Sequence, residues 1–363
     1  MTLHVAHVID TLSLGGAERM VVELANRTVG DGHRASVCVT RAGLALAPRL
    51  DPRIEVLVLD RRSRFALRPL ARLARWLRDR EVTIVQCHGR SSFSLVSVLR
   101  AVRAMAQPIV LHDHRGVQLH PAVPAWFRIA GRGLAAYAAV DRAQLGWAAR
   151  AGVPAARTRV IGNAIDMAAL AGRRLTGPPL PDAPGARLIF VGGLRPDKAV
   201  DVLLDAMARL TAPATLFVVG GDADPGYAAA CRARAQRPEL AGRVVFLGAR
   251  DDALALAATA DLAVHPARSE SGPLVLAEYA ALAIPFVATR VGGVATGLAE
   301  AGAGRFVAAD DPAGLAAAID ALLALAPDDR RRLATAWGAV ARRLFDLSVV
   351  MPRWYELYAE LAR

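Results

Sequence analysis

The chain has 363 residues, 44 arginines, a single lysine, 33 acidic residues and a formal charge of +12. That length argues for two domains, and 54% hydrophobic against 21% charged residues supplies real cores, which excludes a disordered or collagen-like chain. No apolar, uncharged run approaches the ~18 residues that span a bilayer, and the start Met1-Thr2-Leu3-His4-Val5-Ala6-His7 lacks a signal peptide's basic and apolar regions, so a cytoplasmic protein is expected, soluble or peripheral.

Apolar runs over residues 4–9, 35–39, 54–59, 83–87, 108–111 and 159–161 read as strands, separated by helical patterns such as 17–29 and 67–78. Such alternation predicts a parallel, doubly wound sheet. Between the first strand and the first helix stands Leu14-Gly15-Gly16-Ala17-Glu18. Two glycines there let backbone amides approach a phosphate at the positive helix end, although a tight turn also needs glycine. Neither GxGxxG nor GxxxxGKS/T occurs, so NAD binding and P-loop ATP hydrolysis have no support. Arg61 to Arg78 is an arginine-rich amphipathic segment. It fits either anionic lipid head groups or a surface helix that packs Leu67, Leu70, Leu73, Ala74 and Leu77 on the sheet.

His88 follows the fourth strand and His112-Asp113-His114 the fifth, on the sheet edge where open α/β folds bind ligands. Asp113 would orient an imidazole or cap the turn, and His112 or His120 would be structural. His112-x-His114 invites a metal, but two imidazoles on alternate sides of a strand end rarely chelate an ion without a third ligand, so none is expected. Residues 116–128, apolar yet proline-rich, would bind a lipid-linked acceptor or dip into a membrane interface. Cys38, Cys87 and Cys231 are scattered, without CxxC spacing, which predicts buried reduced thiols and no structural zinc site.

After a proline- and glycine-rich stretch over 173–181 the alternation restarts, with strands expected at 187–191, 215–219, 244–247, 262–265, 286–288 and 304–307. The expected fold is two facing Rossmann-like, doubly wound α/β domains. The first covers 1–170 and the second 187–345, joined by a linker at 171–186; a C-terminal helix over 346–363 crosses back to the first domain. A cleft between the domains is the expected active site. Charge divides unevenly: 24 arginines against 12 acids before residue 170, and 21 basic against 21 acidic residues after it. The surplus suggests that the first domain meets an anionic surface, or that an arginine-rich genome decorated its helices. Nucleic acid is disfavoured, because no aromatic interleaving accompanies the basic stretch.

Lys198, the single lysine, falls in a strand-to-helix loop at the carboxyl end of the second domain's first strand. A compact ammonium approaches a diphosphate as a point charge where a guanidinium fork is too large. Glu270 and Glu278, in Ser269-Glu270-Ser271-Gly272-Pro273-Leu274-Val275-Leu276-Ala277-Glu278, would point into one crevice and accept hydrogen bonds from sugar hydroxyls. Alternatively, Glu278 is a helix-face residue and Glu270 a helix-start acid.

Four ordered motifs make the chain resemble the family-4 glycosyltransferases of the GT-B fold over nearly its whole length. They are Gly15-Gly16-Ala17-Glu18, Val160-Ile161-Gly162-Asn163-Ala164-Ile165-Asp166, Val191-Gly192-Gly193-Leu194-Arg195-Pro196-Asp197-Lys198, and Glu270 to Glu278 followed by Ala283 to Thr289 and Val291-Gly292-Gly293. The resemblance implies a retaining transferase that moves a sugar from a nucleotide-diphosphate donor, UDP or GDP, held by the second domain. The acceptor is expected to be a saccharide or lipid-linked molecule of bacterial surface polysaccharide or glycolipid synthesis, met at the inner face of the membrane. A nucleotide-sugar epimerase of the same fold and a non-catalytic binding subunit are the alternatives.

By the same resemblance Glu278 holds the donor ribose, Glu270 and His114 contact the transferred sugar, and amides around Gly15, Gly16, Ser271, Gly272 and Leu274 line the diphosphate and sugar, while Pro273 contributes no amide. The family arginine is replaced by Gly193, and Arg195 is the expected substitute as the second cation beside Lys198. His88 and Asp113 are acceptor-side candidates. Asp222-x-Asp224 matches the metal signature of the other major glycosyltransferase fold but stands where relatives have a turn. With Lys198 and backbone dipoles on the diphosphate, no metal and no cofactor is expected.

Overall fold

The structure, a computed structural model, describes residues 2–61, 67–114, 122–172, 175 and 177–363. Residues 62–66 of the arginine-rich segment, 116–121 of the proline-rich stretch with His120, and Arg173, Arg174 and Thr176 of the expected linker lie outside the described residues. The chain divides into two compact units: Met1–Ile165 with Leu347–Arg363, and Asp166–Asp346.

The first unit holds β1 His4–Ile9, β2 Arg34–Val39, β3 Glu55–Val58, β4 Ile84–His88, β5 Ile109–Asp113, β6 Ala136–Ala139 and β7 Thr158–Val160, in the order β3-β2-β1-β4-β5-β6-β7. All pairings are parallel. Every residue of β1, β4 and β5 is buried, as a parallel sheet covered on both faces requires. One face carries Ala6, Val8, Cys38, Val85, Cys87, Leu111 and Tyr137 and packs on Leu73, Trp76, Leu77, Phe93, Phe127 and Trp147. The opposite face begins in the same way, with Ile9, Val37 and Val39 against Val21, Val22 and Ala25 of the helix Gly16–Gly30.

Farther along that second face the apolar pattern breaks, for His7, Gln86, His88 and His112 are all buried. The helix Leu347–Leu361 belongs to this unit and covers part of the break. Its Trp354 ring lies 4.8 Å from His112, and its Tyr358 hydroxyl donates to the Gln86 side chain.

Three expectations need correction here. Strand β6, Ala-Tyr-Ala-Ala, was not expected; alanine favours helix, and the strand owes its form to pairing with β5 on one side and β7 on the other. In the helix Leu67–Asp79, Leu70, Leu73, Trp76 and Leu77 are buried, but Leu67 is 77% exposed and does not pack on the sheet. The second unit begins at Asp166, so the helix Met167–Gly172 belongs to it rather than to a first domain reaching residue 170; the Met167 amide donates to Asp346 Oδ2 at 3.1 Å.

The second unit holds β8 Ala186–Val191, β9 Ala214–Val219, β10 Val244–Gly248, β11 Leu262–His265, β12 Phe286–Thr289 and β13 Arg305–Val307, in the order β10-β9-β8-β11-β12-β13, again parallel. Each sheet winds outward in both directions from one central pair, β1 and β4 in the first and β8 and β11 in the second. Those pairs are topological switch points, and ligands of such sheets bind beyond the carboxyl ends of the strands there.

Candidate functional site

In the second unit the two strands at the switch point bring together three side chains. Lys198 follows β8 in the short turn Pro196–Lys198, His265 ends β11, and Glu270 lies in the loop after it. The Lys198 ammonium donates to Glu270 Oε1, which is also 3.1 Å from His265 Nε2. Burial alone would raise the Glu270 pKa. The charge of Lys198 and the hydrogen bond from His265 outweigh it and hold the carboxyl at about 2. Burial pushes His265 down, opposed by its bond to Glu270, so the carboxylate stands with a neutral imidazole beside it. Glu270 stands four residues before the helix Leu274–Ala281 begins, and is therefore not a helix-start acid.

The two loops are tied to one another by Arg268, which sequence reasoning missed. Its backbone amide donates to Asp197 O at 2.8 Å, its Nη1 to Pro196 O at 2.9 Å, and its guanidinium grips Asp201 at 2.7 and 2.9 Å. Tyr227 donates to the same Asp201 carboxylate at 2.5 Å. Ala199, at φ +53°, turns the chain from the Lys198 turn into the helix Val200–Met207; a left-handed alanine is strained and persists because its surroundings overdetermine it.

Beyond Glu270 the loop passes Ser271, Gly272 and Pro273, the residue at the helix cap, into Leu274. The Gly293 amide donates to Ser271 O at 2.8 Å. Gly292 holds φ +83°, and a Cβ there would stand 2.9 Å from Glu270 O and 3.0 Å from Pro273 Cδ, so only glycine lets these two loops approach. Of the first-turn amides of Leu274–Ala281, that of Leu276 donates to Pro273 O at 3.1 Å; a helix start leaves such amides without a partner one turn earlier in the helix. Glu278, in the second turn, is 1% exposed.

Arg195 pairs with Asp197 at 2.8 Å and is 45% exposed. At Gly193 a Cβ would come within 3.1 Å of Ala223 Cβ, a tight contact that a shift of a few tenths of an ångström relieves, where the Gly221–Asp224 turn closes on this point through Leu194 N to Gly221 O and Asp224 N to Leu194 O, both 2.9 Å. Within that turn Asp222 pairs with Arg232 at 2.7 Å, and Asp224 caps the helix Pro225–Ala235 by accepting from the Tyr227 amide.

In the first unit the helix Gly16–Gly30 starts after Gly15, and the chain's own acid lies beside that turn. Glu18 Oε2 lies 2.2 Å from where a Gly15 Cβ would stand, and Glu18 Oε1 accepts from Thr11 Oγ1 at 3.0 Å. The histidines line up along the polar break in the sheet. His7 Nδ1 is 3.0 Å from His88 Nε2, His88 Nδ1 is 2.9 Å from His114 Nε2, and the His112 and His114 ring centroids are 3.9 Å apart. The expectation that His112 and His114 point to alternate sides is therefore wrong: residues two apart on a strand share a face. Register completes the group, since His88 pairs with His112 and His7 with Gln86.

Burial keeps these rings neutral, lowering His7 to about 3 and His114 to about 4, and His88 and His112 well below the ordinary value. Asp113 is fully buried, and its Oδ2 accepts from Arg90 Nη2 at 2.9 Å and from the Tyr137 hydroxyl at 2.8 Å. Tyr137 is pushed far up, first by burial and then by that carboxylate. The missed members here are His7, Arg90 and Tyr137.

Two family models match the chain: Glycosyltransferase Family 4 over residues 14–169 and Glycosyl transferases group 1 over residues 185–325. Among curated relatives, the D-inositol 3-phosphate glycosyltransferase 2 of Catenulispora acidiphila is 40% identical over 164 residues, 42% of this chain and 38% of that protein. The glycogen synthase of Mycobacterium tuberculosis is 35% identical over 173 residues, 46% of this chain and 40% of that protein. The chain thus spans about four-tenths of the length of these relatives. Among solved structures, Anabaena HepE in complex with UDP and glucose superposes with a TM-score of 0.80 at 21% identity, over 99% of this chain and 100% of that one. The sucrose-phosphate synthase of Thermosynechococcus elongatus superposes with a TM-score of 0.74 at 18% identity, over 99% of each. At such identities the likeness concerns the fold, which is GT-B. The two matched stretches, which together take in most of the chain, make it a glycosyltransferase of the family 4 type, with a group 1 glycosyltransferase domain over residues 185–325.

Proposed function

We propose that the protein is a retaining glycosyltransferase whose second unit holds a nucleotide-diphosphate sugar at Lys198, Glu270 and the start of the helix Leu274–Ala281. The observation that carries this reading is the Lys198–Glu270–His265 cluster at the β8/β11 switch point, an ammonium held by a carboxylate where an anionic ligand belongs. On donor binding the ammonium turns to the diphosphate and the first-turn amides face the same charge. Glu270, freed from part of its pairing, accepts from hydroxyls of the transferred sugar, Glu278 takes the ribose, and Arg195 supplies a second cation by leaving Asp197. Negative charge that develops on the departing diphosphate is then met by groups already in place. Its oxygen takes the acceptor's proton on the face from which it leaves, which retains configuration. No cofactor enters this scheme.

UDP is the favoured nucleotide, since solved relatives of the fold carry UDP and UDP-glucose. The acceptor is a saccharide or lipid-linked molecule of surface polysaccharide or glycolipid assembly, approached by the basic first unit with His114, and with His88 and Asp113 behind it. In the helix Leu67–Asp79 the apolar face is spent on the core while Arg68, Arg72, Arg75 and Arg78 are exposed, so attraction to an anionic membrane would act through charge. Among the described residues no helix is long and apolar enough to cross a membrane.

A thermal-shift series with UDP, GDP, ADP, dTDP and CMP tests the donor site. One diphosphate at ~100 Kd should stabilise by about 2.7 kcal/mol, and Lys198→Ala and Glu278→Ala should each abolish the shift. Indifference to all five nucleotides refutes the reading.

A further inference from the structure

Three histidines of the first unit form a metal-ready group, which shares His114 and His88 with the acceptor side of the proposed function and adds His112. His88, His112 and His114 each offer a ring nitrogen, and these atoms all lie within 4.8 Å of one another. Three nitrogens on a tetrahedral zinc at about 2.0–2.1 Å stand about 3.3 Å apart. His88 Nδ1 and His114 Nε2 are already 2.9 Å apart, and a separation of at most 4.8 Å leaves no more than about 1.5 Å of approach to reach that spacing. His88, from β4, is the third ligand that the His112-x-His114 spacing lacks by itself.

Two further observations point to an ion rather than to a plain hydrogen-bonded cluster. His112 is fully buried, and its Nε2 has no hydrogen-bond partner; a desolvated polar nitrogen in that condition costs stability unless something accepts or donates there. The opposite ring nitrogens are held from behind. His88 Nε2 faces His7 Nδ1 at 3.0 Å, and His112 Nδ1 faces Gln86 Nε2 at 3.4 Å; a half-turn of that amide makes it an acceptor toward His112 and turns its NH2 group to the Tyr358 hydroxyl oxygen, which then accepts instead of donating. Ligand imidazoles in metal sites are oriented by such outer partners. The Asp113 carboxylate beside them accepts from Arg90 and Tyr137.

We propose that His88, His112 and His114 bind one zinc ion, with His7 and Gln86 orienting the ligands. A purely imidazole set suits zinc over magnesium or calcium, which need oxygen ligands. Of the three, His114 is the one not fully buried, so a fourth ligand, water or another oxygen, would enter from its side. The site rests on the first unit's own residues and does not depend on the transferase reading.

The test uses the full chain, stripped with EDTA, freed of it, and titrated with cobalt(II) chloride and then zinc chloride. Uptake is read by visible absorption and by competition with a chromogenic chelator. The expected result is one equivalent of cobalt with the intense bands of a four-coordinate ion, displaced by zinc. Affinity should fall at least ~100-fold in His112→Phe and in His88→Gln, and remain at the parent value in His33→Gln, which leaves the cluster intact. The parent spectrum is read without any variant having to fold. If the parent shows only the weak bands of hydrated cobalt, or if both cluster variants keep the parent's zinc affinity, the proposal is overturned.

Discussion

Replacing Lys198 by methionine keeps the side chain's length and removes its charge, leaving Glu270 as a buried carboxylate with His265 as a remaining partner. The side chains of Lys198 and Glu270 are only 16% and 12% exposed, so water replaces little of what is lost. Breaking a buried pair from one side costs about 3–5 kcal/mol, and because His265 still contacts Glu270 the lower end, ~3 kcal/mol, is expected. For a unit the size of Asp166–Asp346 that is a drop of about 6–12 °C in Tm. Glu270→Gln on top of Lys198→Met removes the stranded charge and should recover ~2 kcal/mol, a coupling typical of residues in direct contact. Urea unfolding followed by hydrogen-exchange mass spectrometry reads peptides of β8 and β11 apart from those of the first unit. A single-mutant loss below ~1 kcal/mol, or a double mutant no more stable than Lys198→Met, would refute the electrostatic reading of the cluster.

Two other outcomes follow from the same loops. Glu270 falls from an ordinary 4.5 to about 2 on folding; the unfolded chain therefore binds the proton first, and its contribution, present above pH 4.5, is lost as the pH falls toward 2. At about 1.4 kcal/mol per unit this is ~3 kcal/mol, and acid titration of second-unit stability should show a shallower loss over that window in Glu270→Gln; parallel curves would count against it. Gly292→Ala forces a Cβ to within 2.9 Å of Glu270 O at a left-handed φ, so a loss of roughly 2 kcal/mol or more and a raised Kd for the nucleotide are expected; unchanged urea midpoint and affinity would show the approach to be slack.

Most of the frame was legible because short segments such as β1, with Val5, Val8 and Ile9, and β4, with Ile84 and Val85, are buried on both faces and carry their own signal. Strand β6 was not, since an alanine-rich segment becomes a strand through its neighbours' hydrogen bonds rather than through local preference. In the site, Lys198 and Glu270 stood out by residue type and loop position. Their meeting did not, because it depends on Arg268, whose amide and guanidinium bind backbone carbonyls of the Lys198 turn, and carbonyls have no sequence signature. The histidines show the same limit. Their types were visible, but that His7, His88, His112 and His114 share a face follows from sheet register.

The Lys198–Glu270 pair also bears on why the chain's single lysine stands where it does. An ammonium only 16% exposed needs a counter-charge before any ligand arrives, because an unpaired buried charge is costly. Glu270 supplies the counter-charge, with His265 holding the carboxylate in reach; in the proposed donor site a diphosphate would take over part of that role. An arginine at 198 would keep the charge but spread it over a planar fork, and a fork fits a carboxylate bidentately. It would bind Glu270 more tightly than the ammonium does and release it less readily. Lys198→Arg is therefore expected to preserve the stability of the second unit while weakening nucleotide binding, the reverse of what conservation of charge alone would suggest.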